Sequence, residues 1–553
     1  MVRGYQGDDL SKPDAVVACV KHFALYGAST AGRDYHAADM SRREMEETYF
    51  PPYRAAVDAG ARSVMASFNV IDGIPATCNR WLLTEILRNA WGFGGLLVTD
   101  YTAVSEMKNH GTAADDADAA RQAFSAGVDM DMMSEAFLSA LPGLLESGAV
   151  RMDQLDAAVM RVLETKWDLG LFADPLARCH EERAQAVHLC ADHRALAREA
   201  AREAMVLLKN DDLLLPLRKE TTVALIGPLA ESRRDMLGCW IAAGGPDEAI
   251  SPLDGLGKVT KVIFAKGCEV HTEDPNLLDD AIRAAGLAEV VILMLGESWT
   301  MSGEAASRTD IRLPKAQRKL AASLLELNKP ILLVTVSGRP LDLSWEAENF
   351  PTLLHAWALG SEAGHALADV IFGDAAPVGK LTMGFPRHIG QLPMTYREKP
   401  TGRPFDPAVN YTSKYLDRPN DALFPFGHGL TYGKIEIGEL ELDSEEMRPG
   451  GKVTASVEVT NLGNHPVTET VQLYLRDRVA SVSRPVKELR GFQRVTLAAG
   501  ESREIPFMIT DSDLEFPGSD FTPIVEPGDF EVMVGVSSVI LKRARFRRLT
   551  DQG

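Results

Sequence analysis

Short apolar runs that end in polar residues alternate with amphipathic stretches over the first 170 positions. Ala18-Cys19-Val20 leads into Lys21-His22-Phe23, and Ser63 to Asn69, Gly94 to Thr99 and Val128 to Met133 repeat the theme. Such short apolar runs read as buried parallel strands. Between them, Ser41-Arg42-Arg43-Glu44 forms a capping box that opens a helix towards Gly60. The amphipathic stretch Trp81 to Trp91 stops at Gly92, and further helices are expected from about Ala114 to Ala126 and from Leu155 to Leu169. Strand and helix in alternation with short loops predict parallel βαβ units. Four consecutive units are expected here, where closing a (β/α)8 barrel takes eight. Residues 1–190 are therefore expected to hold the C-terminal part of a barrel, whose open edges would expose unpaired backbone groups and apolar surface.

The pattern then changes twice. After a helical segment from Ala195 to Lys209 come the apolar runs Val223 to Ile226, Val262 to Phe264, Val290 to Leu295 and Ile331 to Val336, with a helix expected from Pro314 to Leu327. This predicts a second α/β domain over about 200–390. Gly227-Pro228, Gly296-Glu297 and Gly338-Arg339-Pro340 stand at strand exits, where ligand loops collect in open α/β sheets. A Pro-, Asn-, Asp- and Tyr-rich connection over 391–435 leads to a region of strict alternation. Val453 to Val459, Val471 to Leu475 and Phe530 to Val534 predict a β-sandwich of the immunoglobulin or fibronectin type over 436–553.

Composition narrows the function classes. With 45% hydrophobic and 25% charged residues over 553 positions, several sizeable cores can form. A formal net charge of −20 argues against nucleic acid or an anionic membrane as partner and leaves a neutral substrate open. The cysteines Cys19, Cys78, Cys179, Cys190, Cys239 and Cys268 show no metal-type spacing and read as buried free thiols. No GxGxxG or phosphate-loop signature follows the first strand of the second domain, so no nucleotide cofactor and no metal is expected. No apolar h-region follows Met1 and no stretch is long enough to span a membrane.

Asp100 closes the third apolar run, at the carboxyl end of a barrel strand, where active sites of such barrels are built. On position alone a helix N-cap competes with catalysis there. His22, taken alone, reads better as a satisfied core histidine, whereas a lysine such as Lys21 ending a buried strand needs a partner. Phe23 reads as core.

Five stretches together resemble glycoside hydrolase family 3, most closely its bacterial periplasmic β-glucosidases. They are Cys19 to Phe23, Trp91 to Asp100, Glu304 to Ile311, Leu423 to Tyr432 and Ser483 to Phe492, and they fall in order across the whole chain. The resemblance implies an α/β multidomain protein: a partial (β/α)8-type barrel, an α/β sandwich domain, then a fibronectin type III-like domain. It implies Asp100 as nucleophile and Glu304 as acid/base, with Glu297 as the rival nearer the strand end. It further implies Lys21, His22, Met65 and Tyr101 as substrate-binding residues. The acid/base needs a raised pKa, for which burial against Trp299 or the nearness of Asp100 is expected. Arg308 and Asp310 are expected either to pair and brace the loop or to be solvated separately. Arg33 to His36 reads equally as a brace between loops or as a surface turn.

Tyr101 stands where many relatives of that family have Trp, and Phe68 where some have Tyr, so the walls of the sugar site differ. The stretch after Phe23 lacks the His-Gly-Asp pattern of the family's N-acetylglucosaminidases, which disfavours that activity. Family members also carry an earlier barrel segment with an aspartate and an arginine for the sugar, which have no counterpart after Met1. The expected function is retaining, exo-acting hydrolysis of terminal, non-reducing β-D-glucosyl residues. A β-xylosidase or broad β-glycosidase is the enzyme alternative, and an inactive, N-terminally shortened fragment the non-enzyme one. Weak activity and a tendency to associate are expected of the chain as it stands. The expected partner is an oligosaccharide or glucoside, with a homo-oligomer left open, and the resemblance implies a periplasmic location.

Overall fold

The computed structural model describes residues 1–550. Two compact units divide the chain, Met1–Val187 and His188–Gly553. In the first, β1 (Cys19–Phe23), β2 (Ser63–Ala66) and β3 (Leu96–Val98) form a parallel sheet in that order. The helical run 42–58, with a π-helical stretch at Met45–Tyr49, links β1 to β2, and the π-helix Trp81–Ala90 precedes β3. Ser41 caps the first of these by accepting from the Glu44 N–H at 3.2 Å. Leu82, Leu83, Ile86 and Leu87 turn the apolar face of the second helix into a core that includes Phe23, Phe50 and Leu97.

The expected fourth strand, Val128 to Met133, is reduced to one parallel bridge between Val98 and Met130. Its two aspartates explain the difference. Asp129 Oδ2 accepts from the Leu97 N–H at 2.8 Å, and Asp131 Oδ2 caps the helix Ala136–Glu146 by accepting from the Ala136 N–H at 2.9 Å. Side-chain acceptors thus take contacts that a regular ladder would make. Asp129 also pairs with Arg88 at 2.7 Å and Arg161 at 2.8 Å, which anchors the start of β3. On the helix Met152–Asp168, Val159, Met160, Leu163 and Trp167 remain exposed.

The second unit opens with β4 (Val206–Asn210), β5 (Val223–Ile226), β6 (Val262–Ala265), β7 (Val290–Gly296), β8 (Ile331–Val336) and β9 (Thr352–His355). They form one sheet in the order β4-β9-β8-β7-β5-β6, parallel except for β4. β4 corrects the expected helix to Lys209: the helix is Ala191–Ala204, and Met205 already has extended backbone. Pairing with β9 decides the local structure, as tertiary context does for a short apolar run. The central strands are buried on both faces, so they read as unbroken apolar runs.

His355 ends β9 fully buried, with Nδ1 2.9 Å from Thr335 Oγ1 and its ring edge-on to Trp357 at 4.1 Å. Burial pushes its pKa from 6.5 down to about 3. Between these values the unfolded chain binds the proton that the native state refuses, so stability falls as pH drops from 6.5 towards 3. In His355→Leu the slope of unfolding free energy against pH in this window is expected to flatten by up to about 1.4 kcal/mol per pH unit. Chemical denaturation at a series of pH values checks this, and an unchanged slope contradicts it.

The last region is a sandwich of two antiparallel sheets. One holds β10 (Ile435–Leu442), β11 (Lys452–Asn461) and β14 (Ser502–Thr510). The other holds β12 (Val467–Asp477), β13 (Glu488–Leu497), β15 (Gly528–Gly535) and β16 (Leu541–Arg548), and the short strand Glu446–Met447 adds to its edge in parallel with β16. Alternate residues of β11, Val453, Ala455, Val457 and Val459, enter the core between the sheets. Two of the family-like motifs prove to be structural. Tyr432 Oη donates to the Val370 carbonyl at 2.7 Å, and Glu488 is gripped by Arg397 and Arg484, each at 2.7 Å. All six cysteines are free thiols and Cys268 is buried, as expected, but Cys78, Cys190 and Cys239 are only half-buried and Cys19 and Cys179 are exposed.

Candidate active site

The first unit gathers Asp100 and His22 at the carboxyl ends of its strands. Asp100 follows β3 on a turn that is pinned to the neighbouring segment on both sides. Thr99 donates its N–H to the Met130 carbonyl at 3.0 Å and accepts from the Met132 N–H on Oγ1 at 2.9 Å, while the Thr102 N–H reaches the Met132 carbonyl at 2.8 Å. The Asp100 carboxylate is buried, with 8% of the residue exposed. Its Oδ1 accepts from the Tyr101 N–H at 2.7 Å. Its Oδ2 receives no hydrogen bond and lies 3.4 Å from His22 Nε2. One oxygen is therefore fixed by the turn, and the other is buried beside His22 without a hydrogen bond.

His22 is half-buried rather than core. Its carbonyl accepts from Tyr53 Oη at 2.6 Å and its ring leans on Tyr26 at 4.9 Å between centroids. Phe23 is fully buried against Tyr53 and Trp91, as expected of a core residue. The Lys21–His22 and Phe23–Ala24 peptides are cis, and the β1–β2 register is irregular there. Lys21 corrects its premise: its position on β1 is exposed, so burial does not demand a partner for it. Met65 is half-buried on β2, paired with Val98, and Tyr101 is 55% exposed beside Asp100. Phe68 meets Tyr35 edge-on at 5.4 Å, so the stretch Arg33 to His36 does pack onto a neighbouring loop.

The second unit carries Glu304 on the loop that leaves β7. Gly296 ends that strand with φ +149°, and a Cβ there would stand 1.9 Å from the Val336 carbonyl oxygen, so only glycine lets β7 and β8 run together. Glu297 follows, buried, with both carboxylate oxygens engaged. Arg308 Nη1 meets Oε1 in a short contact, and Arg339 Nε lies 3.2 Å from Oε2. Both oxygens of this carboxylate are thus turned to guanidinium groups. Glu304 is exposed. The expected burial against Trp299 is not what the loop does: the Trp299 ring carries the Arg234 guanidinium at 3.9 Å. The expected brace is also corrected, since Arg308 pairs with Glu297 and Asp310 with Arg312 at 2.6 Å. Hydrogen bonds from the Arg312 side chain hold the Asp310 carboxyl far below the usual carboxylate range.

The role of Arg339 was not legible in sequence, beyond its place at a strand exit. A charged residue three positions past the end of a buried strand, after Ser337-Gly338, is the signal available. Among the described residues, no group of three His, Cys, Asp or Glu side chains is arranged to hold a metal ion.

Comparison with known proteins matches the sequence to three family descriptions. Residues 1–165 match "Glycosyl hydrolase family 3 N terminal domain", 205–432 "Glycosyl hydrolase family 3 C-terminal domain" and 469–538 "Fibronectin type III-like domain". The sequence is 43% identical to a periplasmic β-glucosidase of Salmonella typhimurium, over 99% of this chain and 76% of that protein. It is 37% identical to a β-xylosidase of Formosa agariphila, over 97% of this chain and 76% of that one. The fold superposes on a β-glucosidase from Listeria innocua in complex with glucose at a TM-score of 0.95 and 41% identity, covering 100% of this chain and 76% of that one.

Proposed function

The chain belongs to glycoside hydrolase family 3, and from that premise we propose that it is a retaining, exo-acting β-glucosidase. The observation that carries the reading is the Asp100 carboxylate, buried at a strand end with Oδ1 held by the Tyr101 N–H and Oδ2 without a hydrogen bond. In the first step Asp100 Oδ2 attacks the anomeric carbon while Glu304 gives its proton to the departing glycosidic oxygen. In the second, the Glu304 carboxylate takes a proton from water, whose oxygen displaces Asp100 and leaves glucose with its original anomeric configuration. Lys21 and His22 contact sugar hydroxyls, and Met65 and Tyr101 line the sugar site. The β-glucosidase relatives, one of them solved with glucose, support this substrate class. The periplasmic relative supports that location, and no helix among the described residues is long and apolar enough to cross a membrane.

The β-xylosidase relative favours a second reading on the same machinery. A panel of nitrophenyl glycosides separates them. The glucoside is expected to exceed the xyloside in kcat/KM by about 10- to 200-fold, the range that one missing hydroxymethyl contact supports. A preference for the xyloside would move the assignment to β-xylosidase, and release of the α-anomer in a proton NMR time course would overturn retention.

A further inference from the structure

We propose that Glu297, Arg308 and Arg339 form a clamp that positions Glu304, with Arg339 as its central positioning residue. The inference rests on the reading of Glu304 as the acid/base. Glu304 is exposed, and where its carboxyl can reach depends on the backbone that carries it. That backbone has little regular structure of its own, only a short 3-10 turn at Trp299–Met301. Ordering such a segment costs conformational entropy, and a proton donor is effective only when held close to its productive position. Something outside the loop has to hold it.

Arg339 has the reach to do so. Its Nη2 donates to the Ala306 carbonyl at 2.7 Å and makes a short contact with the Met301 carbonyl. These carbonyls flank Glu304, three residues before it and two after. The Nε of the same guanidinium meets Glu297 at the foot of the loop, and Arg308, at its return, closes on the other oxygen of Glu297. One planar fork thereby ties both limbs of the loop to a carboxylate that is only 1% exposed. The seat itself is tight. Gly303, immediately before Glu304, has φ +106° and would place a Cβ 2.7 Å from Cys239 Sγ. Asp235 Oδ1 holds the entry of the loop by accepting from the Trp299 N–H at 2.7 Å. These contacts hold the loop on both sides of Glu304.

Two readouts test the clamp. In Arg339→Met, kcat/KM for phenyl β-glucoside is expected to fall by about 10²-fold, the scale of a small misplacement of a catalytic group, with dinitrophenyl β-glucoside nearly unaffected. Hydrogen exchange in the peptide spanning 299–308 is expected to speed up in the same variant by more than exchange in peptides elsewhere in the protein. Arg339→Lys keeps the charge without the fork and should recover only part of the loss. If Arg339→Met does not fold, Glu297→Gln decides, because it keeps the volume and removes the charge that both arginines grip. A loss that is equal for all leaving groups, or loop exchange that is unchanged, would overturn the clamp. Glu304→Ala runs in parallel. If it is selective for poor leaving groups and Arg339→Met is not, the clamp alone fails. If Glu304→Ala is not selective, the acid/base assignment fails and the clamp with it.

Discussion

Replacing Asp100 by Asn is expected to lower kcat by about 10⁴-fold or more for every β-glucoside, whatever its leaving group. The amide keeps the shape of the carboxylate and can still accept from the Tyr101 N–H on its carbonyl oxygen, a bond of 2.7 Å in the parent. It puts an NH2 group in place of Oδ2, the oxygen that receives no hydrogen bond. The folded structure should therefore survive, with a melting temperature close to that of the parent, while nucleophilic attack is lost. Burial strengthens the expectation, because a site with 8% of Asp100 exposed offers little room for a water to take over the attack. Steady-state kinetics beside a thermal melt check both halves. Residual turnover within about tenfold of the parent would remove Asp100 from the role.

Glu304→Ala should split substrates by leaving group. Phenyl and alkyl glucosides, whose departing oxygen needs a proton, are expected to lose about 10²- to 10⁴-fold, whereas dinitrophenyl glucoside should form the glycosyl-enzyme nearly unimpeded. Hydrolysis of that intermediate then becomes slow, because no base activates water. Added azide needs no base and should restore turnover, with β-glucosyl azide as product. Glu297→Ala is the control. Its carboxylate is enclosed by Arg308 and Arg339, so its loss should disturb the loop and give azide rescue much weaker than in Glu304→Ala, where the base is absent altogether. If Glu297→Ala is rescued and Glu304→Ala is not, the two residues exchange roles.

What the sequence made legible was local. Val223–Ile226 and Ile331–Val336 appear where the apolar runs predict them, because a strand buried on both faces leaves an uninterrupted apolar signature. Asp100 could be singled out because a carboxylate at a strand exit is visible without knowing its neighbours. Val206–Asn210 was not legible, since no Gly or Pro separates it from the helix before it, and its strand form depends on Thr352–His355, almost 150 positions later. The same limit explains the loop of Glu304. Arg308 and Asp310 are near in sequence and suggest a pair, yet Arg308 turns to Glu297 and shares it with Arg339, 42 positions from that carboxylate. Val128 to Met133 misled in the other direction: its apolar positions fit a strand, but its two aspartates bind backbone N–H groups of other segments.

The central claim is a covalent glycosyl-enzyme on Asp100, and trapping it is the most direct test. A 2-deoxy-2-fluoro-β-glucoside with an activated leaving group slows both steps but the second more, so the intermediate accumulates. Peptide mass spectrometry of the inactivated protein is expected to find one fluoroglucosyl group, on the peptide that contains Asp100, with labelling lost in Asp100→Asn. A label on any other carboxylate, or labelling that persists in Asp100→Asn, would contradict the account.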